Sequence, residues 1–207
     1  MNVPDEQRCF EMMARMEMMD HIVAHSIQVR RVADFLAERL GRAGVSLDTG
    51  IISRAALLHD ITKTRSFSTG ERHAQSGGEW LAGEGYPEVG DIVRQHVVLD
   101  TYPPVRPHEA VVVNYADKRV LHDEVVGLPE RREYILEKYG ETEEIRERIR
   151  YFWMRTREME QWLFSRFDFP PGSLPEKLGP CDMEGEMQPF YAARDRMAGS
   201  RPSRDSA

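Results

Sequence analysis

Ala55-Ala56-Leu57-Leu58-His59-Asp60-Ile61-Thr62-Lys63 is the stretch on which the reading of this chain turns. Ahead of it, Asp48 suits a helix N-cap, and Ile51, Ile52, Ala55 and Leu58 recur at the three- and four-residue spacing of a buried helical face. The helix is expected to end at His59-Asp60. Neighbouring side chains on a helix point about 100° apart, so both can reach one centre only near a helix end where the backbone turns. The following Ile-Thr-Lys-Thr suits such an end.

Working outward, helical periodicity continues nearly throughout, and almost no stretch alternates with period two for long enough to make a strand. The class expected is all-α. A first helix is read over about residues 5–19 on Phe10, Met13 and Met16, and a longer one on Ile22, Val29, Val32, Ala33, Leu36 and Leu40, broken by Gly41 and Gly44. Downstream, His73 opens a short helix toward Leu81, and Pro87 starts another running to His96. Pro107 starts a helix through Val111, Val112, Tyr115, Ala116 and Val120, extending to Val126. Beyond Gly127 the texture becomes more charged, with helices from Pro129 to Tyr139 and from Thr142 to Phe167. In the latter, Ile145, Ile149, Phe152, Thr156, Met159 and Leu163 follow a seven-residue repeat. That stripe suits a helix folded back on its own domain, or a homodimer through the 145–163 helix. Three segments result: 1–127 with the candidate site, 128–168 as a helical extension, and 169–207 as a loop-like or partly disordered tail rich in Pro, Gly, Ser and charge.

With 207 residues, 41% apolar and 30% charged, the chain has the composition of a globular protein with room for a sizeable core. A net charge of −7 argues against a large duplex nucleic-acid surface, which needs clustered Lys and Arg, but a nucleotide requires only a few local cations. Neither a membrane span nor a signal segment is visible, so a cytoplasmic protein is expected. Cys9 and Cys181 stand near opposite ends and encode no thiolate metal site.

Four of the seven histidines and two aspartates form an ordered series: His25, His59-Asp60, His73, His96 and Asp117. This nitrogen and oxygen donor set suits Fe, Mn, Co, Ni or Zn. The gaps of 34, 13, 23 and 21 residues are each about one helix and its connection, so each ligand can project inward from a different helix. His21, four residues before His25, is read as supporting or exposed, and His108 and His122 as ordinary helix residues. The methionines near the N-terminus are read as core packing.

Taken together, His25-Ser26, the 55–63 stretch, His73-Ala74, Ile92-Val93-Arg94-Gln95-His96 and Tyr115-Ala116-Asp117-Lys118 resemble the HD-domain metal-dependent phosphohydrolase superfamily. The resemblance spans residues 21 to about 126 and implies a helical bundle with the metal site in its core. It implies that His25, His59, Asp60 and Asp117 are ligands of the basic site. His73 and His96 resemble the two additional histidines of the dinuclear subgroup, in which the aspartate matching Asp60 bridges two divalent metal ions. Thr62 departs from the glycine or alanine common there. The implied activity is hydrolysis of a phosphate ester or anhydride in a nucleotide or related small phosphorylated metabolite. Asp60 would orient the nucleophile and Lys63 would bind and stabilise the phosphoryl group, with Arg65 and Lys118 as weaker substrate-binding candidates. Two alternatives stand beside it: an HD-type diiron oxygenase acting on a phosphonate or polyol, and a non-catalytic nucleotide-binding or scaffold protein.

Overall fold

A computed structural model describes residues 2–102, 104 and 106–199, and the fold is all-α. At its centre lies α2 (Asp20–Arg42), a helix free of Gly and Pro until Gly41, ending in a turn at Gly44 with φ 83°. Its apolar stripe, Val23, Ile27, Val29, Val32, Ala33, Leu36 and Leu40, is buried against α3 (Thr49–Leu58) and α7 (Glu109–Lys118). Each such Ile, Val or Leu contributes about 1.5 to 3 kcal/mol on burial. Asp48 caps α3 by accepting a hydrogen bond from the Ile51 amide at 3.0 Å. Between α3 and α7 come α4 (Lys63–Thr69), α5 (His73–Gly83) and α6 (Pro87–Val93). The last two cross so closely that their backbones touch. A methyl group on Gly90 would lie 2.4 Å from the Gly78 carbonyl oxygen, and one on Gly78 would lie 2.6 Å from the Gly90 carbonyl oxygen.

Several boundaries differ from those read in the sequence. The first helix, α1, covers only Glu6–Arg15, because Asp5 caps its start and the chain turns through Glu17 at φ 50°. Likewise α6 stops at Val93, leaving His96 in the turn beyond it. The helix expected to reach Val126 ends at Lys118 and gives way to a short hairpin, β1 (Val120–Leu121) against β2 (Glu124–Val125). β-Branched Val120, Val125 and Val126 suit extended backbone, and His122 makes the turn at φ 56°, so it is not a helix residue.

The C-terminal part pairs α8 (Leu128–Tyr139) with α9 (Glu143–Phe164). Burial of the seven-residue stripe rises along the helix: Ile145 is exposed, Ile149 and Phe152 are half-buried, and Thr156, Met159 and Leu163 are buried. The tail is not loop-like as far as residue 199. A 3-10 turn (Pro171–Ser173) leads into α10 (Leu174–Leu178) and then α11 (Met183–Gly199), which lies on α1. Its composition misleads because tertiary contacts stabilise it. Met187, Phe190 and Ala193 form a buried face, Glu186 pairs with Arg30, and Arg194 pairs with Asp20, which outweighs the helix bond lost at Pro189. Residues 200–207 of the expected tail lie outside the described residues.

Candidate metal centre

Five elements bring the histidine and aspartate series to one place. His25 comes from the second turn of α2, His59 caps the C-terminus of α3, and Asp60 sits in the turn immediately after it. His73 opens α5, His96 lies just past α6, and Asp117 stands in the last turn of α7. Two triads offer donor atoms within metal-binding range of one another: His25, His59 and Asp60, and Asp60, His73 and His96. Asp60 belongs to both. Its Oδ2 lies 3.6 Å from His59 Nε2, while its Oδ1 lies 3.2 Å from His73 Nε2 and 3.6 Å from His96 Nε2. Asp117 joins the first half, with Oδ1 3.3 Å from His25 Nε2 and 3.7 Å from His59 Nε2.

The backbone sets the orientation of three imidazoles. Nδ1 of His25 lies 2.7 Å from the carbonyl of His122, Nδ1 of His59 2.7 Å from that of Ala56, and Nδ1 of His96 2.7 Å from that of Val93. A carbonyl only accepts, so Nδ1 carries the proton and the Nε2 lone pair is left facing the centre. Burial drives the His59 pKa from 6.5 down to about 3, so this ring is neutral and able to ligate at ordinary pH. Burial alone would raise Asp60, but the neighbouring His59 and Lys63, with His73 and His96 beside its Oδ1, together hold it well below the carboxylate range. Asp117 is likewise held low against burial by His25, Arg131 and His59. His59 Nε2 and Asp60 Oδ1 are buried without any hydrogen-bond partner, a costly state for polar atoms unless a cation completes them. The donor set therefore fits one or two divalent metals.

Residues 22–120 match the HD-domain family. That segment is an HD domain. The chain is 30% identical over 96 residues to a tRNA (cytidine(56)-2'-O)-methyltransferase of Thermoplasma volcanium, covering 46% of this chain and 26% of that protein. It is 36% identical over 98 residues to ribonuclease Y of Aquifex aeolicus, covering 47% of this chain and 16% of that protein. The chain thus spans well under half the length of either relative. No solved structure matches it.

Around the HD site, the structure treats the cationic candidates differently. Lys63, the first residue of α4, holds Nζ 3.3 Å from His73 Nε2 and 3.8 Å from Asp60 Oδ1, and its side chain is partly open to solvent. Arg65 is turned to Glu71 by a two-pronged pair, Nε to Oε1 at 2.6 Å and Nη2 to Oε2 at 3.1 Å, so its fork is occupied away from the centre. Lys118 donates to the carbonyls of His96 at 3.0 Å and Asn114 at 3.1 Å, bracing the backbone behind a candidate ligand and lining a cavity of about 210 Å³ with Tyr102, Phe152 and Arg155. Burial brings its pKa down to about 8. Thr62 is more than a neutral departure from the HD pattern. Its buried hydroxyl donates to the His73 carbonyl at 2.8 Å, tying the start of α5 to the His-Asp turn.

Two contributors escape sequence reasoning. His122 orients His25 through its carbonyl, which depends on the unforeseen hairpin. Arg131, in the first turns of α8 and beyond the matched HD segment, brings Nη2 to 3.8 Å from Asp117 Oδ1. It stands in a charged stretch where nothing in the spacing separates it from its neighbour Arg132. Among the described residues no helix is long and apolar enough to cross a membrane.

Proposed function

We propose that this chain is a metal-dependent phosphohydrolase acting on a phosphate ester or anhydride, most simply that of a nucleotide or related small metabolite. The observation that supports this reading is Asp60, shared by two donor triads within one buried centre. One half would be held by His25, His59, Asp60 and Asp117, and the other by Asp60, His73 and His96. Two divalent cations, when bound, supply water activation near neutral pH and Lewis acidity toward phosphoryl oxygens. Asp60 spans both halves and sets their separation. Lys63, at the partly open side, places an ammonium where negative charge develops on a transferring phosphoryl group. Burial of His59 and His96 keeps bulk water from the imidazoles. The name of the ribonuclease relative, an enzyme of RNA cleavage, favours phosphoester chemistry over the oxidative alternative.

The test is metal analysis of the purified protein, then a hydrolysis screen with Mn, Fe, Co, Ni or Mg, read as release of inorganic phosphate from nucleotides and of the monophosphate from cyclic nucleotides. The reading expects release that depends on added metal and disappears with chelator. Oxygen consumption by iron-loaded protein with a phosphonate or polyol, without hydrolysis of any phosphate ester, would replace it by the oxygenase reading. Tight nucleotide binding without product would replace it by the binding-protein reading.

A further inference from the structure

The deeply set arginines of this chain are not alike. Arg119, 1% exposed, spends its guanidinium on Val126, Tyr115, Glu160 and Pro171. Arg30, 10% exposed, is held between Glu6 and Glu186. Arg131 is 15% exposed, yet among the described residues its guanidinium makes no hydrogen bond. Its charged neighbour, Asp117, is 3.8 Å away, beyond hydrogen-bond reach. No nitrogen of Arg131 is among the buried unpartnered atoms of the described residues, so its five N–H donors keep access to solvent and stand open to a ligand beside the centre. The side chain is also supported: the guanidinium lies 5.7 Å from the Tyr134 ring, which itself packs 5.4 Å from the ring of His122, whose carbonyl orients His25.

We propose that Arg131 builds an anion site on the Asp117 side of the centre, opposite Lys63, and that a phosphoryl group is gripped between guanidinium and ammonium. This rests on the phosphohydrolase reading. The ion pairs to the two candidate carboxylate ligands divide in this way: Lys63 pairs with Asp60 beside His73, and Arg131 pairs with Asp117 beside His25. A planar fork and a point charge on the two halves suit a tetrahedral dianion, with two of its oxygens on the fork and another on the ammonium. Once Asp117 is engaged as a ligand, the charge of Arg131 is left for the substrate. Residue 131 lies outside the matched HD segment, so the extension that carries α8 would supply part of the recognition.

The experiment measures inorganic phosphate binding by titration calorimetry to the full chain loaded with manganese, with metal content and melting temperature taken on the same samples. Arg131→Met, which keeps the stem, should bind phosphate about ten- to a hundredfold more weakly while retaining its metal. Arg131→Lys, which keeps the charge without the fork, should fall between the two. Wild-type affinity in either variant overturns the proposal. Metal loss in Arg131→Met in parallel with phosphate loss also overturns it, by making Arg131 a counter-ion that merely holds Asp117. If Arg131→Met fails to fold, Arg131→Lys still decides. Failure of wild-type protein to bind phosphate removes the anion site whatever the reaction. Phosphate binding lost in the variants of a protein that hydrolyses no ester leaves the site standing and sinks only the hydrolase reading.

Discussion

Asp60 contributes one oxygen to each half of the centre, and its substitution should therefore differ in kind from that of any histidine around it. Asp60→Asn preserves size but removes the charge and one oxygen donor, so metal content should fall from about two per chain toward zero. His96→Ala should lower it only toward one. Elemental analysis after dialysis distinguishes the two, and equal losses would mean that Asp60 is not shared. Lys63 tests phosphoryl chemistry instead. Lys63→Ala should keep metal and fold yet lose about ten- to a hundredfold in kcat/KM on the substrate that the screen identifies, and unchanged kinetics would reduce it to a solvated helix-end lysine. His59 adds a pH dependence to the metal-free protein. In the unfolded chain its imidazole takes a proton near 6.5, whereas the buried ring resists until about 3. Between those values the unfolded state binds more protons, so stability present above 6.5 is lost as pH falls. Between pH 7 and pH 5 the loss is about 2 kcal/mol, read as a lower urea midpoint in chelator. The drop should be smaller in His59→Gln, and an equal slope in that variant would assign it elsewhere.

Among the elements, the α5–α6 crossing is what places His73 against His96. The two helices approach through Gly78 and Gly90, and the imidazoles of His73, at the start of α5, and His96, in the turn after α6, stand with ring centroids 5.1 Å apart. Gly90→Ala would drive a methyl group into the Gly78 carbonyl, a backbone atom that no side-chain rotation can move. The expected cost is about 1 to 3 kcal/mol, with a melting temperature lower by several degrees. Selective loss of the His73–His96 metal should accompany it, while the His25–His59 half stays filled. Two metals per chain in a variant of unchanged melting temperature would show that the crossing has slack. Helix existence here was legible in apolar spacing, and caps such as Asp48 were legible in residue type. The close approach was not, because a glycine within a helix carries no mark of the helix it will touch.

For the molecule as a whole, Arg119 ties the HD segment to the C-terminal elements. From beside α7 it reaches the hairpin at Val126, Glu160 on α9 and the carbonyl of Pro171 ahead of α10. Arg119→Met would leave those carbonyls without their partner and Glu160 held only by the Tyr115 hydroxyl at 2.6 Å, at a cost of about 3 to 5 kcal/mol. Adding Glu160→Leu should recover part of it. Thermal unfolding of both variants, with metal content as the control, checks this, and a loss below about 1 kcal/mol would refute it. The all-α class, most helices and the ordered His and Asp series could be read from residue types and spacing, since helical periodicity and donor chemistry are local properties of the chain. The hairpin, the ordered α11, the graded burial of the α9 stripe, the diversion of Arg65 to Glu71 and the arrival of Arg131 could not. Each depends on tertiary contacts that local spacing does not encode, and packing overrides local propensity wherever a buried face or a charge finds such a partner.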